Sequence, residues 1–127
     1  MSPVPSGSRK LPAKRRIKES REYAHIKSKG RRYGFGCVLL NWLLAGQALA
    51  PRVGIIVNRK VGNAVVRNLA RRRLREVFRK NQHLLPINLQ LVFVARPSIA
   101  GKSFAAIEHD FMQASRHVKL VTSSPES

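Results

Sequence analysis

The 127-residue chain has one cysteine, six acidic residues and few aromatics (6% Phe, Trp and Tyr), and no long unbroken apolar run. Each shortage excludes something. A lone thiol, Cys37, makes no intramolecular disulfide and no cysteine cluster for a metal. It lies in an apolar stretch, where a free thiol usually serves as a small buried hydrophobe, and a reducing compartment suits it. The most apolar segment, CVLLNWLLAGQALA from Cys37 to Ala50, is broken by Asn41, Gly46 and Gln47. It falls short of the ~18 residues that span a bilayer. The opening MSPVPSGSRKLP lacks the apolar core of a secretory signal. A cytoplasmic location with no membrane partner is therefore the expectation.

The scarcity of acids matters most. Against them stand 25 Lys and Arg, for a formal charge of +19. Such a field repels copies of the chain and attracts polyanions. All but four of the Lys and Arg lie before residue 81, whereas the acids divide equally on either side of it. The anion-facing surface should come from the first two thirds.

Ser- and Pro-rich ends, residues 1–10 and 121–127, read as disordered tails around one domain over residues 11–120. Within it, Ser20 can cap a short helix that ends at Gly30. Tyr33 to Leu44 and Arg52 to Asn58 read as two strands of an antiparallel hairpin, with the turn-forming AGQALAP between them. Asn63 to Lys80 is a helix. Leu89 to Ala95 (LQLVFVA), between Pro86 and Pro97, is a strand buried on both faces. Ser103 can cap a last helix whose Phe104, Ile107, Phe111, Ala114 and Val118 follow spacings of three and four. The class is α+β, in the order helix, strand, strand, helix, strand, helix.

The Asn63 to Lys80 helix carries the strongest signal. At about 100° per residue, Val66, Leu69, Ala70, Leu74 and Val77 share an arc roughly 140° wide. Arg67, Asn68, Arg71, Arg72, Arg75 and Arg79 fall opposite. Arg73 lies inside the apolar arc, where its stem can cover the core and its charge turn outward. Arg67, Arg71, Arg75 and Arg79 recur every four residues and repel one another, while a solvated helix normally mixes signs. This row calls for an external anion. Arginine's planar fork suits phosphate, so nucleic acid outranks a lipid surface. Just upstream, Arg59, Lys60, Gly62 and Asn63 form a strand-to-helix junction whose N–H groups and helix dipole can hold a phosphate.

The run RKVGNAVVRNLARRRLREVFR resembles the signature of the bacterial ribonuclease P protein subunit, which typically reads K-x-G-x-A-V-x-R-N-R-x-K-R-x-x-R-E-x-F-R. The likeness runs from about Leu11 to Lys119 and takes in LPAKRRIKESREYAHIKSKGRR, VGIIVNRK, LVFVARP and SFAAIEHDF. It implies a two-layer sandwich of helices on a four-stranded mixed sheet with a left-handed βαβ crossover, and hence a further short strand near Tyr33 to Phe35. It also implies that Arg59, Lys60, Gly62, Asn63, Arg67, Asn68, Arg71, Arg72 and Arg75 face the catalytic RNA, one protein per RNA. A cleft between the first helix and the sheet is implied to hold the 5′ leader of precursor tRNA, with Tyr23, Lys27, Phe35, and Val38 or Leu40 as its residues. Tyr23 is open to a second role in core packing. Three positions depart from the pattern: Leu69 in place of the third residue of Arg-Asn-Arg, Lys27 where a second aromatic is common, and Gln90 in place of a frequent Asp.

No catalytic set is visible. His25, His83, His109 and His117 lack metal-ligand spacing, and the consecutive Glu108, His109 and Asp110 point different ways on a helix. The resemblance implies instead that the RNA subunit hydrolyses precursor tRNA with Mg2+ bound mainly by RNA, while the protein binds. The alternative is a non-catalytic basic RNA-binding module such as a ribosomal protein. A helix-turn-helix DNA reader fits less well, because the basic helix follows a strand.

Overall fold

The computed structural model describes residues 16–17, 20–44 and 50–121. Helix α1 (Ser20–Lys29) leads into strands β1 (Arg31–Phe35), β2 (Val38–Leu44) and β3 (Arg52–Ile56). Helix α2 (Ala64–Asn81), strand β4 (Leu89–Ala95) and helix α3 (Phe104–His117) follow. The sheet order is β1-β2-β4-β3. β1 with β2 and β2 with β4 are antiparallel, while β3 runs parallel to β4. The fold is the expected α+β arrangement of helices on a mixed four-stranded sheet, with the fourth strand at the predicted place.

The expected hairpin between Tyr33–Leu44 and Arg52–Asn58 is not formed. Gly36 and Cys37 turn the chain inside the first of these segments, so β1 and β2 are the hairpin, with Phe35 opposite Val38. β3 does not neighbour β2 in the sheet. It pairs with β4, in register Val53 with Leu91 and Ile55 with Phe93, and Arg16 bridges Val53 on its other side. A run of aliphatic residues says that strands form but not which distant strand each will pair with, and the parallel partner came from beyond α2. The AGQALA part of the linker, residues 45–49, lies outside the described residues.

Both faces of the two central strands are covered. Leu89, Leu91, Phe93 and Ala95 of β4 and Val38, Leu40 and Trp42 of β2 meet α2 and α3 in the main core. Phe93 and Phe111 pack as tilted rings with centroids 5.4 Å apart. The alternate residues Leu43, Val92 and Val94 turn to α1, where Ile17, Tyr23 and Ile26 join them in a second cluster. α1 therefore sits on the sheet face opposite α2 and α3. Asn41 fixes it there, its side-chain amide donating to the carbonyls of Arg31 at 2.9 Å and Ile26 at 3.3 Å. Val121, placed in the C-terminal tail by composition, is buried with Leu120 in the main core, so the domain extends to it. The expected tails at 1–10 and 122–127 lie outside the described residues.

The helix boundaries follow their caps. The Asn63 side chain accepts from the Val66 N–H at 3.0 Å, and the Ser103 hydroxyl accepts from the Ala106 N–H at 3.1 Å. Arg73 behaves as its position requires: half-buried, it donates to the Lys102 carbonyl, which ties α2 to the loop before α3. Phe78, at the edge of the apolar arc, is fully buried. Cys37 is buried as expected, and burial together with Asp110 pushes its thiol up to about 12, so it remains protonated at neutral pH.

The β1–β2 turn depends on one glycine. Gly36 has φ +59°, and a Cβ there would lie 2.1 Å from Asp110 Oδ2, the atom that accepts the Cys37 N–H at 2.9 Å. Gly36→Ala should lower the unfolding free energy by about 1–3 kcal/mol, read from urea denaturation. An unchanged midpoint would show that the turn tolerates a side chain.

Candidate nucleic-acid interface

The junction between β3 and α2 is built from two asparagine caps in succession. Asn58 accepts from the Lys60 N–H at 3.0 Å and opens a 3-10 turn over Arg59–Val61; Asn63 then opens α2. Gly62 between them has φ +153°, and a Cβ there would press on Val66 at 3.0 Å. Arg59, Lys60 and Asn63 are exposed beside it. The Val66 N–H is already taken by Asn63, so a phosphate at this junction would rely more on Arg59 and Lys60 than on that backbone group.

Along α2, Asn68 and Arg72 are exposed and Arg67, Arg71 and Arg75 half-buried. Several of the guanidinium groups are held in place by carbonyls. Arg67 Nε donates to the Gly62 carbonyl at 3.1 Å, and Arg71 reaches Asn68 Oδ1 at 3.0 Å and the Val57 carbonyl at 3.4 Å. These bonds orient the side chains without neutralising them. Arg71 and Arg75 lean around the edge of β3 and, with Arg16, Tyr23 and Gly54, line a depression of about 240 Å³. No acid lines it. Arg16 Nε is buried there with no hydrogen-bond partner.

Tyr23 also lines the next groove, about 340 Å³, between α1 and the sheet. Its hydroxyl donates to the Ile17 carbonyl at 2.9 Å, and burial raises its pKa. Arg52 holds the segment before α1, bonding Glu22 at 2.7 Å and the Arg16 carbonyl at 3.1 Å. The groove walls are Tyr23 and Lys27 of α1 and Arg32 of β1, over Leu39, Val92 and Val94. It joins an apolar floor and one phenol ring to two cations, a combination suited to unpaired bases and their phosphates.

Of the expected cleft residues, Tyr23 and Lys27 are in this groove and three are not. Val38 and Leu40 are fully buried on the opposite face of the sheet, packed under α2 and α3. Phe35, paired with Val38, shares that face at the edge strand and is partly exposed. Side chains alternate along a strand, so Leu39, between Val38 and Leu40, turns to the other face, toward α1. The residues missed are the alternate ones, Leu39 of β2, Val92 and Val94 of β4, Ile56 and Arg32. Gly36 was a signal for the turn, which puts Phe35 and Val38 on one face and Leu39 on the other. Tyr23 packs with Ile17 and Ile26 and also lines the groove.

Among the described residues, no three His, Cys, Asp or Glu gather as a metal site, and no helix is long and apolar enough to cross a membrane.

Residues 11–119 match the family model described as Ribonuclease P. The chain belongs to the ribonuclease P protein family. The ribonuclease P protein component of Gluconacetobacter diazotrophicus is 37% identical over 102 residues, covering 80% of this chain and 88% of that one. That of Syntrophomonas wolfei is 36% identical over 102 residues, covering 80% and 85%. The fold agrees with the RNase P protein of Staphylococcus aureus, TM-score 0.77 at 23% identity over 85% of this chain and 98% of that one. It agrees also with the RNase P protein of Thermotoga maritima, TM-score 0.71 at 24% identity over 80% and 96%. As a ribonuclease P protein, the chain is the protein part of an endoribonuclease ribonucleoprotein, and its partner is RNA. The reading as a ribosomal protein is set aside.

Leu69, the departure inside the ribonuclease P signature, is half-buried on the side of α2 that faces α3. Its apolar side chain suits that position.

The Tyr23 hydroxyl bond can be tested alone. Tyr23→Phe keeps the ring and leaves the Ile17 carbonyl without this donor, so stability should fall by about 1 kcal/mol in urea denaturation. No change would mean that solvent replaces the bond.

Proposed function

We propose that this chain serves its ribonucleoprotein by binding two RNA segments on adjoining surfaces. The α2 face and the junction before it, with Arg59, Lys60, Arg67, Asn68, Arg71, Arg72 and Arg75, bind the catalytic RNA. The groove between α1 and the sheet binds the single-stranded 5′ leader of precursor tRNA, with Tyr23 and Lys27 joined by Arg32, Leu39, Val92 and Val94. The observation that carries the reading is the groove itself, which combines an aromatic wall and apolar floor with cations and opens past Tyr23 onto Arg71 and Arg75.

Bases lie against Tyr23 and the valine floor, and Lys27 and Arg32 take the phosphates. Stacking accepts any base, and phosphate contacts fix position without reading sequence. The chain therefore raises affinity for substrates that have a leader and sets where the strand runs. In this reading hydrolysis is left to the RNA, with Mg2+ bound there. When bound to RNA, Mg2+ activates water and stabilises the leaving oxygen. This chain's contribution is to hold the strand in place. The reading takes one protein per RNA.

The test is precursor tRNA cleavage by a bacterial ribonuclease P RNA at low Mg2+, with and without the protein, over a series of leader lengths. Stimulation should vanish for very short leaders. Tyr23→Ala should lose roughly tenfold of the leader-dependent affinity, and the Arg67→Ala, Arg71→Ala double variant should lose stimulation altogether. Stimulation indifferent to leader length would remove the leader from the groove, and no stimulation with the chain's own RNA would remove the whole reading.

A further inference from the structure

Helix α2 carries cations on two flanks. Arg71 and Arg75 turn toward the edge of β3 and the Tyr23 side. Arg72, Arg73, Arg79 and Lys80 line a separate open groove of about 740 Å³ between α2 and the start of α3. At about 100° per residue Arg73 and Lys80 lie on the α3 flank, opposite Arg71, while Arg72 and Arg79 stand on the exposed ridge between the two grooves.

This second groove has an ordered rim. The Arg73 guanidinium is held by the Lys102 carbonyl, and Glu76, the one acid in the lining, is paired with Arg79. Lys80 Nζ stands 5.2 Å from the centroid of the Phe104 ring and 3.8 Å from Glu108. Leu69 and Phe104 supply the apolar lining. Four cations stand beside two carboxylates, Glu76 on Arg79 and Glu108 on Lys80, so the groove keeps a net positive charge that suits a phosphate chain. A base resting on the half-buried Phe104 and Leu69 takes the place of Lys80 over the ring and frees its ammonium for phosphate, and only an unpaired nucleotide can present its face in this way.

We propose that this α2–α3 groove is a second RNA-binding site, which takes a single-stranded segment of the catalytic RNA. Its phosphates meet Arg72, Arg73, Arg79 and Lys80, and one base rests against Phe104 and Leu69. The proposal rests on the reading that α2 binds the catalytic RNA, and it extends that contact beyond the ridge to the start of α3. Leu69 then acts here as the apolar part of a base-binding surface, with the charge supplied by Arg73 one turn later.

The experiment titrates the intact chain against full-length catalytic RNA over a range of salt concentrations, with the folding of each variant checked by its thermal transition. The Arg79→Ala, Lys80→Ala variant should bind more weakly, with the slope of log affinity against log salt reduced by roughly 1.4–1.8. Leader-length discrimination by the holoenzyme should be unchanged. Phe104→Leu, which keeps an apolar side chain, should lower affinity roughly tenfold at unchanged slope. Unchanged affinity and slope in the first variant would overturn the site, and unchanged affinity in the second would overturn the base contact. Arg71→Ala, Arg75→Ala separates the two readings. If only the Arg79, Lys80 pair is silent, this groove alone is lost; if both pairs are silent, RNA binding by α2 fails and the groove with it.

Discussion

The two central strands, β2 and β4, carry apolar residues on both faces, and the placement of the helices follows from that constraint. One face needs enough apolar surface to seat two helices, and Leu40, Trp42, Leu91 and Phe93 provide it under α2 and α3. The other face carries fewer apolar residues, and α1, only ten residues long, covers part of it. What α1 leaves uncovered is the groove. A longer first helix would bury Val94 and Leu39 completely and abolish the surface that an RNA strand could use.

Electrostatics makes the opposite demand. A chain of formal charge +19 strains its own compact state, and the acids among the described residues are each engaged in a structural contact. Glu22 pairs with Arg52 to hold the segment before α1, and Asp110 accepts the Cys37 N–H at the β1–β2 turn. Glu108 accepts from the Asn81 amide and joins α3 to the end of α2, and Glu76 braces Arg79. None of these lines the depression between Arg16, Arg71 and Arg75 or the groove beneath α1. The repulsion left on α2 is relieved when an anion binds, so part of the binding free energy is stored in the free protein as like-charge crowding.

Much of this was legible in the sequence, and the failures share one cause. The α2 and α3 boundaries could be read because Asn63 and Ser103 are local caps, and the basic row because its period is local. The fate of Arg73 could be read too, since a charged residue on an apolar arc has few places to go. Pairing and parity are not local. Nothing between Tyr33 and Leu44 but Gly36 marks the turn that splits the run, and the parallel partner of β3 lies beyond an 18-residue helix. The resemblance implied Val38 or Leu40 for the groove, and it is Leu39 between them that lines it. Which of two alternating faces meets α1 is settled by packing, which residue types alone do not record.

The cationic helix can face two grooves because only part of its circumference is needed for the core. Ala70, Leu74, Val77 and Phe78 bury one side of α2, which leaves an exposed ridge with two flanks. A helix resting on an edge strand would expose one flank and hide the other. α2 instead follows edge strand β3 and packs beside α3, so the depression at the strand edge and the trough between the helices stay open on either side of it. The parallel β3–α2–β4 connection creates this situation, since it brings the helix across the sheet face rather than into a hairpin. Arginine contacts of this kind give affinity and position without reading sequence. If α2 binds RNA as proposed, the fold's contribution to recognition is geometric: it fixes the direction and spacing of the arginines along the two grooves.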